Sequence, residues 1–504
     1  MLDNVWYFGN LLAVLLRWMT GQHSYSGESS PPMFGDYEAQ RHWMEVTVNL
    51  ETNQWYTNST DNDLLYWGLD YPPLTAYHSY LNGKIAQYLN PLWVELHTSR
   101  GFESYYHKIF MRSTVLAVDL LIYFTAVYNY WSIYMKGMVP EVKPRDKAVN
   151  CVISLLNPAL ILIDYGHFQY NCVSLGLVIW TLNCLMSGYH ITAAIVFSLA
   201  LNYKQMSLYY AFPIFWYLLS ICFSQRNKLK QLIKLVSISM AVIFTFVILW
   251  LPYIHSIESI FQLLNRIFPF NRGIYEDKVS NFWFSLSILI KIKNFFTDSS
   301  LAKMSLLTTV VALMPSSYAV FKKPTIDNLK YSLINSSLIF FLFSFQVHEK
   351  SILMVSICVL LLMDKHPLCC LWFVVISTFS LQPLLIKDSL MIPYFSLIIF
   401  FICVYTNAFG DFDIWHPICW RERTVMITFI SSMVGCLLLS IGALTIPAPK
   451  RLPDIHAVAN CLYSFIHLMV FVIYFHQLQF EVYKMPNTYH KTTVLSSAKK
   501  RKQI

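Results

Sequence analysis

Charge is scarce in this chain of 504 residues: 13% of positions are Asp, Glu, Lys or Arg, while 56% are hydrophobic. That balance, with a mean hydropathy of +0.46, excludes an ordinary soluble globular domain. Residues 1–5 contain no lysine or arginine, and the apolar stretch Val5–Met19 lacks a small-residue cleavage site. The expectation is therefore a retained first helix and not a cleaved leader. None of the eleven cysteines falls in the polar segment from Gly21 to Phe110, and paired CxxC spacing is absent. A disulfide framework there and a zinc site are both disfavoured, and the thiols, adjacent Cys369 and Cys370 included, read as buried and free. No GxGxxG or GxxxxGK[ST] occurs, so nothing points to a nucleotide domain. Repeats of solenoid length and a visible inverted repeat are missing too.

What fills the chain instead is a succession of apolar runs near the length that crosses a bilayer. They lie at 5–20, 113–135, 149–164, 172–187, 189–203, 207–223, 235–254, 303–321, 331–346, 351–363, 368–385, 391–409, 424–445 and 457–477. The predicted fold is an all-α polytopic membrane protein of about fourteen transmembrane helices, with a long first luminal loop carrying interfacial helices.

The formal net charge is +9. Its basic residues gather between the runs: Lys136, Lys143, Arg145 and Lys147; Arg226, Lys228, Lys230 and Lys234; Lys322, Lys323 and Lys330; Arg421 and Arg423; and the tail Lys499, Lys500, Arg501 and Lys502. Such clusters follow the positive-inside rule, and no nucleic-acid partner is needed to explain them. Arg17 alone falls at the wrong end of its run. The tail also has the form of a dibasic retrieval signal, a short pattern.

With those clusters cytosolic, the polar stretches gather on the other face. These are segment 21–112, DYGHFQYN at 164–171, NYKQM at 202–206, RIFPFNRGIYEDKVSNFW at 266–283 and QVHEK at 346–350. The Asn58-Ser59-Thr60 triplet, a glycosylation candidate at Asn58, suits a luminal location for that face. Trp43, Trp55, Trp67 and Trp93 read either as interfacial anchors roofing a lipid groove or as packing belts.

Ionisable groups at membrane depth are costly and mark substrate paths or reaction sites. In FGDYEAQRHW, Asp36 and Glu38 are two apart and do not form an obvious acid–base pair. One carboxylate suffices, however, when the leaving group is a lipid phosphate that needs no proton: it deprotonates the acceptor hydroxyl while cations hold the phosphate. The alternative for Asp36 is a helix N-cap, with Glu38, Arg41 and His42 in the turns that follow. The DxD-like triplets at Asp61–Asp63 and Asp411–Asp413 read as solvated loops, and no metal is expected.

Several stretches, in order and spacing, resemble a known family: SPPMFGDYEAQRHWMEVT, YWGLDYPPLTAYHSY, SRGFESYYHKIFMRSTV, LILIDYGHFQYN, NYKQMSLYYAFP, RIFPFNRGIYEDKVSNFW and FLFSFQVHEKSIL. They are similar to the GT-C membrane glucosyltransferases of the endoplasmic reticulum that use dolichyl phosphate glucose. The likeness runs from about Ser24 to Lys350. It implies transfer of the first glucose, in alpha-1,3 linkage and with inversion, to the terminal mannose of a dolichyl-pyrophosphate-linked Man9GlcNAc2 acceptor. The implied enzyme is an inverting hexosyltransferase of the N-glycosylation pathway, multi-pass, with its site in the lumen and without a cofactor.

The resemblance puts the catalytic base on Asp36. Glu38, Arg41 and His42 become supports of that loop. His348 is a candidate for the donor phosphate, with Lys350 or Arg272 as alternatives, against a bland reading as residues solvating a turn. Asp70, behind the stiffening Pro72 and Pro73, either contacts sugar or makes a turn. His167, Gln169, Lys204 and Gln205 read equally as substrate contacts or as hydrogen bonds within the membrane. The domain expectation is a catalytic module at 1–350, further transmembrane helices at 351–477 and a basic cytosolic tail at 478–504. Two other readings compete: a transporter or flippase, which predicts charged sites near the midplane on broken helices, and a noncatalytic membrane subunit that keeps the fold.

Overall fold

A computed structural model describes residues 2–138, 144–268, 278–410 and 420–485. Arg272, the Asp411–Asp413 triplet, Cys419 and the Lys499–Lys502 tail lie outside the described residues. Within them the chain is built of helices and contains no β-sheet.

In chain order the helices are α1 (Leu2–Gly21), α2 (Asp36–Asn49), α3 (Pro73–Leu89), α4 (Tyr105–Val118), α5 (Thr125–Met138), α6 (Pro144–Leu155), α7 (Pro158–Ile161), α8 (Asn171–Met186), α9 (His190–Tyr203), α10 (Ala211–Phe223) and α11 (Lys228–Trp250). They continue as α12 (Ile257–Ile267), α13 (Phe282–Leu289), α14 (Asp298–Lys322), α15 (Ile326–Phe343), α16 (Ile352–Leu360), α17 (Pro367–Phe379), α18 (Gln382–Lys387), α19 (Met391–Ala408), α20 (Trp420–Thr445) and α21 (Ile455–Lys484). Each of the fourteen apolar runs coincides with a helix or a helix pair.

Eight spans among the described residues are long and apolar enough to cross a bilayer: 105–135, 147–168, 205–223, 228–253, 298–322, 391–408, 422–445 and 455–484. The remainder of the expected fourteen are short, like α8, α9 and α17, or carry polar side chains, like α1 and α15. The nine residues of α16 are all buried. A helix wrapped by protein need not match the hydrocarbon thickness in length or in apolar content. The longest apolar helices face outward instead, and α11 leaves Met240, Ile243, Phe244 and Ile248 exposed, as a lipid contact requires.

One apolar core runs from Ala13 to Phe475 and crosses position 350 without a break. Helix α21 continues to Lys484, so the tail expected from 478 opens inside a helix. At that end Lys323 donates to the carbonyls of Val482 (2.7 Å) and Met485 (2.6 Å), a C-terminal cap by a basic residue. Lys330 is buried with its ammonium 3.8 Å from the Tyr134 ring centre. Two members of the basic clusters are thus packing groups.

Arg17 is another. It is fully buried, and its Nε donates to Asp119 (2.7 Å), which also accepts from the Tyr165 hydroxyl (2.7 Å), while Nη1 reaches the Leu155 carbonyl (2.8 Å). Its place at the wrong end of the first run therefore carries no topological signal: it is half of an ion pair inside the bundle.

The segment between α1 and α4 forms a cap of its own. Pro73 opens α3 at N1, where a missing N–H costs nothing. The amphipathic α12 lays Leu263 and Ile267 against Trp43, Trp55, Tyr56 and Leu69. Trp43, Trp55 and Trp93 are buried, the first two within the cap and Trp93 against Phe110 of α4, so these three do not anchor it in lipid.

Candidate active site

Gly35 is the N-cap of α2, and no side chain closes that cap. Asp36 follows as the first helical residue, and its carboxylate points away from its own helix to groups distant in sequence. This answers the capping alternative: the Asp36 side chain caps nothing.

Two glycines set its position. Gly27 holds φ at +76°, and a Cβ there would sit 2.1 Å from the Gly35 nitrogen. A Cβ on Gly35 would lie 2.5 Å from the carbonyl carbon of Ser26. Backbone therefore touches backbone, which only glycine permits. Ser26 completes the clamp: its Oγ accepts from the Asp36 N–H (3.2 Å) and its own N–H donates to the His167 carbonyl (3.0 Å).

On the opposing side, helix α7 widens into a π-helix over Leu162–Phe168. Phe168 then takes φ of +89°, a value strained for a bulky residue and one that tends to persist at functional positions. The result turns His167 and Gln169 toward one point. A Cβ on Gly166 would meet Leu390 Cδ1 at 2.8 Å, so this turn is pressed against the loop after α18.

That point is Asp36 Oδ2. Lys350 Nζ donates to it at 2.6 Å, His167 Nε2 lies at 3.0 Å, and Gln169 Nε2 donates as well. The carboxylate remains 21% exposed, and Oδ1 has no hydrogen bond among the described residues. Burial opposes ionisation of Asp36, yet Lys350 and His167 outweigh it and hold the carboxyl well below the ordinary aspartate range. Lys350 responds in kind: burial pulls it down, and Asp36 then Glu349 raise it above the lysine norm.

Behind this contact lies a second layer of hydrogen bonds. Lys204 Nζ donates to Gln169 Oε1 (2.9 Å) and Asn171 Oδ1 (2.6 Å), orienting the amide whose N–H₂ reaches Asp36. Lys204 sits 5.0 Å from the Tyr71 ring centre, a cation–π contact, and burial lowers it from the usual lysine value. Asp388, at the C-terminus of α18, receives His167 Nδ1 at 2.5 Å, with both side chains buried.

The other sequence candidates occupy distinct places. Glu38, Arg41 and His42 lie on the face of α2 turned away from Asp36. Arg41 donates to Glu38 (2.8 and 2.6 Å), Glu45 (2.7 Å) and Ser99 (2.6 Å), and His42 Nδ1 lies 3.1 Å from Glu45. Burial opposes charge on Glu45, but His42 and Arg41 bring it down to about 2. This buried network fastens α2 to segment 93–99 and does not meet the Asp36 oxygens. His348 is 42% exposed, with Nδ1 3.8 Å from Glu349, and stands beside the cluster. Asp70 and Gln205 meet through the Asp70 carbonyl, which accepts from Gln205 Nε2 (3.3 Å). Asn58 is exposed, and its side-chain oxygen accepts from the Leu64 N–H (3.1 Å). Asp61 pairs with His97 (3.1 Å) on the surface, and Asp63 accepts from the Leu65 N–H (2.9 Å). No group of three or more His, Cys, Asp or Glu with metal-holding geometry occurs among the described residues.

Sequence reasoning missed Asp388, Glu45 and Ser26. Glu45 was accessible from its i, i+4 spacing to Arg41. Asp388, a lone carboxylate in the stretch IKDSL, gave no local signal.

The profile of the ALG6, ALG8 glycosyltransferase family matches residues 13–474. The chain belongs to that family. It is 44% identical over 483 residues to the Gallus gallus protein named dolichyl pyrophosphate Man9GlcNAc2 alpha-1,3-glucosyltransferase, covering 92% of this chain and 94% of that one. A Rattus norvegicus protein of the same name is 42% identical with the same coverage. The ALG6, ALG8 match extends well beyond Lys350, where the motif resemblance fades, so the helices after α15 are part of the family architecture.

Proposed function

We propose that the chain transfers glucose from dolichyl phosphate glucose to the terminal mannose of a dolichyl-pyrophosphate-linked Man9GlcNAc2 acceptor, in alpha-1,3 linkage with inversion, at the luminal face of the endoplasmic reticulum membrane. The observation that carries this is the Asp36 carboxylate, with one oxygen held by three donors and the other open beside them.

In this reading Oδ1 meets the acceptor hydroxyl. The O–H bond breaks toward Asp36, the hydroxyl oxygen bonds to the anomeric carbon, and the bond from that carbon to the phosphate oxygen breaks with its electron pair leaving on dolichyl phosphate. A strongly ionised carboxylate is a weak base. The donor phosphate remedies this by competing for Lys350: as the ammonium moves toward the phosphate, Asp36 loses its strongest cationic partner and gains basicity. His348 and Arg272 are the further cations assigned to the phosphate, and Asp70 to sugar. Glu38, Arg41 and His42 hold the helix that carries the base.

An apolar cavity of about 440 Å³, lined by Pro72, Leu208, Phe246, Trp250 and Phe268 with Gln205 at its polar end, fits a prenyl chain. Gln205 follows Lys204 in the chain, and Lys204 is two hydrogen bonds from Asp36. The exposed Asn58 sequon on the same cap supports a luminal setting.

The test is glucosyl transfer by the purified full chain, with labelled dolichyl phosphate glucose and the lipid-linked acceptor. Transfer should be robust, and Asp36→Asn should cut kcat by about 10²-fold or more with an unchanged melting profile. A folded Asp36→Asn protein with near-normal transfer sinks the base assignment; absence of transfer by the unaltered chain sinks the reaction.

A further inference from the structure

His167 is held between two carboxylates from opposite ends of the sequence. Its Nε2 faces Asp36 Oδ2 at 3.0 Å and its Nδ1 faces Asp388 Oδ2 at 2.5 Å, with Lys350 Nζ 3.2 Å from Nε2. An ionised carboxylate can only accept hydrogen bonds, so the contact with Asp388 places a proton on Nδ1. The other ring nitrogen, Nε2, is then the one whose protonation can change, and it is the one beside Asp36.

The loop carrying Asp388 is built to hold it there. Asp388 ends α18, where its N–H donates to the Leu384 carbonyl (3.1 Å). Ser389 follows with φ of +58°. Leu390 then packs on Gly166, the residue before His167. The Asp388 side chain is 3% exposed, and its described hydrogen bond goes to His167.

We propose that Asp388 is a positioning residue of the transfer reaction: it fixes His167 with a proton on Nδ1, so that Nε2–H donates to Asp36 Oδ2 and leaves Oδ1 to the acceptor hydroxyl. The inference rests on Asp36 being the base. The proton taken from the acceptor hydroxyl stays on Asp36 until it is lost to solvent or to the departing phosphate, and Asp36 is then again anionic for the next acceptor. No bond other than O–H changes in that step. His167 thus holds the base in place from behind, an arrangement that orients an imidazole by a buried carboxylate.

The experiment is steady-state transfer by the full-length protein carrying Asp388→Asn, His167→Asn or both. The expectation is a fall in kcat of about 10²-fold for Asp388→Asn, with the KM for dolichyl phosphate glucose unchanged. In the His167→Asn background Asp388→Asn should cost no more than twofold further, because Asp388 acts through the imidazole. Should Asp388→Asn fail to fold, Asp388→Glu carries the test: it keeps the charge but moves it by a methylene, and a lowered kcat at constant donor KM is expected. Wild-type kcat in a folded Asp388 variant overturns the proposal, as do losses that multiply across the double variant or a donor KM that rises with the fall in kcat. An active Asp36→Asn protein would overturn the base assignment instead, so the two failures are told apart.

Discussion

Asp36, His167, Gln169 and Lys350 come from three separate stretches, the last of them 314 residues from the first. Each residue was legible as a polar group where apolar sequence prevails, and the motif resemblance named the base. What the sequence could not carry was the pairing. Lys350 reads from sequence as a phosphate ligand, and the structure shows its ammonium on the Asp36 carboxylate, the base we propose. Lys350→Ala should therefore release Asp36 from its cation while depriving the donor phosphate of one, both on binding and as it departs. Removing one member of a desolvated charge pair costs at least about 2 kcal/mol, so kcat/KM for the donor should fall about 30-fold or more. A change confined to KM would show that Lys350 serves the phosphate alone.

Helix α2 and the π-helix over 162–168 carry groups that we assign to the reaction, and they differ in how far the sequence revealed them. The helical turn after Asp36 was readable from its charge spacing, and Glu38, Arg41 and His42 do secure it. Nothing in LIDYGHF announces a π-helix, because the extra residue per turn is imposed by packing on Leu390 and by the strained Phe168. Gly35 offers a sharp test at this scale. A methyl there would lie 2.5 Å from the Ser26 carbonyl carbon, and backbone atoms cannot swing aside as a side-chain tip can. Gly35→Ala should lower the melting temperature, at a cost of about 1–3 kcal/mol, and should lower kcat more than donor affinity because α2 shifts with Asp36 on its first turn. Thermal melting and transfer kinetics on the same preparation check both; unaltered kcat would show that the helix start tolerates displacement.

The whole molecule followed from hydropathy in outline. Fourteen runs became helices, but only eight are long and apolar enough to span among the described residues, because buried helices answer to their neighbours and not to lipid. Carboxylates buried among cations also make the fold sensitive to acid. Glu45 and Glu349 are each brought down to about 2, against burial, Glu45 first by His42 and Glu349 first by His348. Unfolded glutamate titrates near 4.3. Their stabilisation is thus fully present above about pH 4.3 and drains away as the pH falls from there toward 2. Melting temperature in detergent should be flat near neutrality and drop below about pH 4.3, with the drop lessened in Glu45→Gln. A flat profile down to pH 3 would show that this network contributes nothing to stability.

The Arg17–Asp119–Tyr165 contact joins α1 to the π-helix two residues before His167. A polypeptide begun after the first twenty residues would retain every side chain assigned to the reaction. It would nevertheless expose an unmatched aspartate within the bundle and leave the reactive turn without its brace, so the amino-terminal helix is a structural precondition for turnover even though it touches neither sugar nor phosphate.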